Sequence, residues 1–136
     1  MTRLFAAPLV LWAMAAAGNP PAGYAQSLAG KRLVMKGASC AGLGFTAKGA
    51  LEMYAELECS HGHEPTVRAR VRWLTADIFL ATETERVSKD CPPRNWIYKV
   101  EALTAKTARL REIWTGWPDA ADSVLDYKVV PVGAAP

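Results

Sequence analysis

From Leu33 to Val130 apolar and polar residues alternate almost one by one, and a period of two admits few folds other than antiparallel sheet. The pattern is plainest in the middle of the chain. Leu51, Met53, Ala55, Leu57 and Cys59 fall on one side of an extended chain, and Glu52, Tyr54, Glu56 and Glu58 on the other. Val67, Ala69, Val71 and Trp73 then share a face, opposite Arg68, Arg70 and Arg72. Such segments bury one face and wet the other.

This rule predicts eight strands, at 32–36, 43–47, 50–59, 66–74, 77–87, 96–102, 107–114 and 124–130. Lys48-Gly49, Thr75-Ala76 and Thr104-Ala105 lie in short connections, as hairpins require. The segment at 107–114 also admits a helical reading, and the hairpin pattern around it selects strand. Eight antiparallel strands in meander order gain by closing, because closure removes exposed edges. The expected fold is all-β: an eight-stranded up-and-down barrel, wide enough for its own side chains or one small ligand. Short and long connections alternate. The long ones, at 37–42, 60–65, 88–95 and 115–123, therefore gather at one end as a rim.

The N-terminus carries different information. Thr2-Arg3 is a short basic start, and an apolar run at 4–17 is too short to span a bilayer comfortably. Gly18-Asn19-Pro20-Pro21 breaks the run, and Gly23 and Ala25 supply small residues at the −3 and −1 positions of a cleavage site. Residues 1–25 are expected to be a secretory signal peptide, cut after Ala25. A single domain of about 110 residues, 26–136, is left in an oxidising compartment, periplasmic or secreted, with no membrane span. The formal charge of the chain is +3, and its acidic and basic residues alternate by strand. No basic block forms, which argues against a nucleic-acid partner.

Loop alternation and two sequence patches resemble the calycin superfamily, the lipocalins and their small bacterial lipocalin-like relatives. Leu28-Ala29-Gly30-Lys31-Arg32 is similar to the N-terminal Gly-x-Trp motif, with Arg32 in the tryptophan position. Phe45-Thr46-Ala47-Lys48-Gly49-Ala50-Leu51 resembles the hairpin with spaced Phe, Gly and Leu common in small lipocalin-like proteins. The resemblance implies an open-mouthed barrel used for binding or for partner recognition.

Three cysteines in an exported chain predict one disulfide and one free thiol. Cys59 ends a strand and Cys91 lies in the next rim loop, so Cys59–Cys91 is the favoured bridge, with Cys40 free. Cys40–Cys59 and Cys40–Cys91 stay open. His61-Gly62-His63 places two imidazoles on one side of an extended chain. With Cys59 and Cys91 they form a conceivable zinc set, one that a disulfide at Cys59 would break. A solvated polar turn is the simpler reading, and no metal or other cofactor is expected.

Four of the five tryptophans lie beyond the leader. Trp96 and Tyr98 alternate inward, Trp114 shares a face with Ala108 and Leu110, and Trp117 follows in the rim loop. Aromatics at a cavity mouth suit a small apolar or aromatic ligand; they also fill small barrels. Arg109 and Arg111 must face outward, which turns Glu112 inward, where a carboxylate needs a partner such as Arg86 or Arg94, or serves as a handle for a ligand. Trp114 is expected to be core and Trp117 exposed. On the outer face, Glu52, Glu56 and Glu58 oppose Arg68, Arg70 and Arg72. A return loop centred on Gly62 makes opposed residue numbers sum to roughly 124–126.

No serine sits in a nucleophile-elbow context and no matched acid–base pair appears. The chain therefore reads as a monomeric, non-enzymatic binding protein. Its partner is a small hydrophobic ligand held at the open end among Trp96, Tyr98, Glu112, Trp114 and Trp117, or an envelope or host protein gripped by the rim loops.

Overall fold

In a computed structural model, residues 23–131 are described except His63 and Val87. Eight strands form a closed antiparallel meander: β1 Lys31–Met35, β2 Gly42–Phe45, β3 Leu51–Tyr54, β4 Val67–Trp73, β5 Ile78–Glu83, β6 Asn95–Leu103, β7 Thr107–Ile113 and β8 Ser123–Pro131. β8 returns to β1, with Lys31 opposite Pro131 and Met35 opposite Tyr127. Alternation of apolar residues is realised as burial. In β4 Val67 and Ala69 are buried while Arg68, Arg70 and Arg72 are exposed, and in β7 Ala108 and Leu110 are buried while Thr107 and Arg109 are exposed. The ambiguous segment is thus a strand.

Short turns close one end. Gly49 adopts a left-handed φ of 82° and donates its N–H to the Thr46 carbonyl. The Thr75 hydroxyl accepts from the Asp77 and Ile78 N–H groups, and the Thr104 hydroxyl from those of Lys106 and Thr107. Hydroxyls that satisfy local backbone donors fix tight turns. A short helix, α1 (Tyr24–Leu28), seals the same end. Its Leu28 is 0% exposed, the Tyr24 N–H bonds the Ala76 carbonyl, and the Gly30 N–H bonds that of Thr46. The alternation rule does not reveal this helix, and the expected cleavage point after Ala25 falls inside it. Residues 1–22, which hold most of the expected leader, lie outside the described residues.

The barrel's centre is filled with rings. Phe79 is 0% exposed, with its ring 5.6 Å from Phe45, 5.0 Å from Trp73 and 5.2 Å from Tyr98, centroid to centroid. Leu33, Leu51, Val100 and Leu110 pack around them. Small residues at Ala69, Ala81 and Ala108 make room for these rings.

Two expectations about the third strand are corrected. It ends at Tyr54, not at residue 59, because Glu56–His61 form a 3-10 helix. A helix with three residues per turn puts Glu56 and Cys59 on one side, facing the loop between β1 and β2. With those residues out of the ladder, Glu52 opposes Arg68 and Met53 opposes Val67, so opposed numbers sum to 120. Arg68 lies 3.9 Å from Glu52, 3.7 Å from Glu64 and 3.4 Å from Glu85, whereas Glu56 has left the outer ladder altogether.

Candidate functional site at the open end

Four connections form the open end, as strand counting requires: 36–41, 55–66, 84–94 and 114–122. The first two are clamped together. Cys40 and Cys59 form the disulfide, and Cys91 is the exposed free thiol. This corrects the expected Cys59–Cys91 bridge. The physical reason is the 3-10 turn, which swings Cys59 back toward Cys40 instead of leaving it at a strand end. The turn also delivers the Glu56 carboxylate onto three backbone N–H groups, those of Ser39 (2.7 Å), Cys40 (3.1 Å) and Ala41 (3.0 Å).

Those donors hold the Glu56 carboxyl down at about 2, against an ordinary 4.5. A group whose pKa is lowered on folding stabilises the fold above its unfolded value and loses that contribution as pH falls toward its folded value. In acid melts, the gap in Tm between the wild type and Glu56→Gln should therefore be widest above about pH 4.5 and close as pH approaches 2. Parallel curves would show that the three N–H contacts do not form in solution.

Across the mouth, Glu83 points inward from the end of β5 and is nearly buried. Arg94 binds it with two nitrogens, Nε at 3.0 Å and Nη2 at 2.8 Å, and adds its backbone N–H at 3.1 Å. These hydrogen bonds hold Glu83 near 2 and raise Arg94. The same guanidinium lies 5.3 Å over the Trp96 ring. Arg94 is therefore engaged by Glu83 and not by Glu112.

Glu112 does face inward. It stands opposite Tyr98 on β6 and Ser123 on β8, half-buried, and its Oε2 accepts the Tyr98 hydroxyl at 3.4 Å. Burial and the nearby Glu112 charge raise the Tyr98 phenol, and the same two causes lift Tyr127 to about 12. Both phenols are neutral and can only donate toward the carboxylate.

Trp114 departs from its expected place. β7 ends at Ile113, so Trp114 is the first loop residue and is 44% exposed; Trp117 is 78% exposed. The strand phase itself is right, since Glu112 stays inward. Trp114 leaves the core because the ladder stops one residue earlier, and its indole lies over its own loop. Its Nε1–H donates to the Trp117 carbonyl at 2.8 Å, and its backbone N–H donates to Asp122 Oδ1 at 2.9 Å. Asp122 in turn pairs with Arg111 at 3.7 Å, and Arg111 Nε reaches Glu101. Gly116 supplies the bed: a Cβ there would come within 2.7 Å of the Trp114 ring. Sequence reasoning missed this contact, although Trp-Thr-Gly-Trp places the only residue without a side chain where the ring lies.

His61 turns back on its own helix, with Nδ1 3.0 Å from the Leu57 carbonyl. His63 lies outside the described residues, so the proposed imidazole pair is not described. Cys40, Glu56 and Cys59 do converge, but the two sulfurs are bonded to each other and the carboxylate is spent on backbone donors. The oxidised clamp therefore offers no thiolate to a metal.

Among the described residues, no helix is long and apolar enough to cross a membrane. Comparison with family models, curated proteins and solved structures gives no match for this chain.

Proposed function

We propose that this barrel is an exported, monomeric, non-enzymatic binding protein of lipocalin-like design that grips a protein or envelope component with its rim loops. One observation carries the reading: the Trp114 indole lies against Gly116 with its N–H donated to the Trp117 carbonyl, and its backbone N–H is held by Asp122, yet Trp114 is 44% exposed, beside a Trp117 that is 78% exposed. A chain that fixes an indole in one orientation and leaves its face in water has the preorganisation that binding rewards. Tryptophan is also among the residues that most often dominate contact energies. Export is supported by the basic-then-apolar N-terminal pattern and by the disulfide. The rival reading, a small apolar ligand deep in the barrel, is disfavoured by the ring cluster around Phe79, which occupies the space such a ligand would need.

The test compares the wild type with Trp117→Ala and Gly116→Ala in capture from a solubilised envelope fraction, with Tm measured in parallel. Both variants should melt within a few degrees of the wild type, because neither site is in the core. Trp117→Ala should lose the captured component, and Gly116→Ala, which dislodges the Trp114 ring, should weaken capture. Equal capture by all three proteins would defeat the reading.

A further inference from the structure

β4 outruns the strand on one side of it. It pairs with β5 from Ala69 to Trp73, but with β3 only from Val67 to Ala69, where Leu51 is the last partner. Backbone direction shows what this leaves open. Arg68 accepts from the Thr84 N–H, and Leu74, just past the strand, donates to the Ile78 carbonyl, so the even-numbered residues aim their backbone groups at β5. Val71 and Trp73 aim theirs the other way, toward the turn between β2 and β3. Continued register would set Gly49 against Val71. Gly49 instead donates to the Thr46 carbonyl and Thr46 to that of Ala50, so the turn closes on itself. A cleft of about 370 Å³ opens there, lined by Lys48, Gly49 and Leu51 on one side and Arg70 and Val71 on the other.

The charges beside the cleft are also uncommitted. Arg68 is shared among Glu52, Glu64 and Glu85. Arg70 and Arg72 are exposed, their neighbours on β5 are the neutral Thr82 and Leu80, and among the described residues neither has a carboxylate within ion-pair distance.

We propose that the open edge of β4 at Val71–Trp73 takes up an extended acidic segment of a partner protein as an added antiparallel strand. An edge with unpaired N–H and C=O groups is a template for such a strand, and the side chains beside it set its sequence. Alternation fixes the pattern. Two acidic side chains, two residues apart, stand on the outer face beside Arg70 and Arg72, and the residue between them is apolar and turns inward beside Val71. A second copy of this chain is disfavoured, since pairing edge to edge would set arginine against arginine. The surface lies toward the short-turn end of the barrel, away from Trp114 and Trp117, and does not depend on them.

The experiment titrates nitrogen-labelled mature protein with the capped peptide Thr-Glu-Val-Glu-Thr and follows backbone amides by NMR. Saturable shifts at Val71 and Trp73, with slowed hydrogen exchange at both, are expected. The same peptide with N-methylated valine, which cannot donate to the Val71 carbonyl, should not bind, and neither should Thr-Lys-Val-Lys-Thr. Joint replacement Arg70→Glu and Arg72→Glu should weaken the acidic peptide by roughly tenfold or more and admit the lysine peptide instead. Trp117→Ala should bind the acidic peptide as the wild type does, which keeps this test apart from that of the rim. Absence of saturable shifts at Val71 and Trp73, or equal binding of the N-methylated peptide, would overturn the proposal. So would protection of these amides that grows with protein concentration alone, because a second copy would then cover the edge. Should the double variant fail to fold, the three peptides on the wild type decide alone.

Discussion

Phe79→Ala should cost about 3–5 kcal/mol and lower Tm by more than about 10 °C. Phe79 is 0% exposed and joins rings from three other strands, Phe45 on β2, Trp73 on β4 and Tyr98 on β6. Its removal leaves a void between rings of which Phe45 and Tyr98 are themselves buried. Collapse around that void is hindered, because the neighbouring rings are each anchored to a different strand. Circular dichroism melts of the wild type and the variant give the answer. A fall of only a degree or two would mean that the interior is looser than these ring contacts indicate, and a deep ligand would again have room.

The clamp at the open end comes second. Replacing both Cys40 and Cys59 by serine should cost about 3 kcal/mol, because the bridge closes a loop with a sequence separation of 19 and restricts the unfolded chain accordingly. The strands should survive, since the clamp joins two loops and not two strands. Thiol titration of the untreated wild type should find one reactive group, Cys91, and peptide mapping should link Cys40 to Cys59. A Cys59–Cys91 peptide, or an unchanged Tm in the double variant, would contradict the clamp.

Architecture was legible in the chain because period two and loop length act over long stretches. Leu110 inside, Arg109 outside and Glu112 inside all follow from one alternation, and the rim follows from counting connections. Local detail was hidden where two periods agree. Between Ala55 and Cys59 a strand and a 3-10 turn place polar residues equally well. Only the three-dimensional meeting of Glu56 and Cys59 with residues 39–41 decides for the turn. From that one ambiguity came both the wrong disulfide and the wrong register opposite β4. Trp114 was hidden for another reason. Strand ends are set by where the partner strand departs, and β8 begins at Ser123, opposite Glu112. At the candidate site, Glu112 was visible as an inward acid from alternation alone. That Arg94 is committed to Glu83, leaving Glu112 without it, is a tertiary fact that no local pattern carries.

The pairing of β1 with β8 also sets the order of events during folding. Each of the other seven pairings joins neighbours in sequence, so hairpins can assemble as the chain becomes available. The seam between Lys31 and Pro131 cannot, because it joins the two extremes of the domain. Until the last strand arrives, the growing sheet has two raw edges, and β1, the first strand made, waits longest with its backbone donors open to any other chain. The species most exposed to misassembly is thus an almost finished barrel, one strand short of closure.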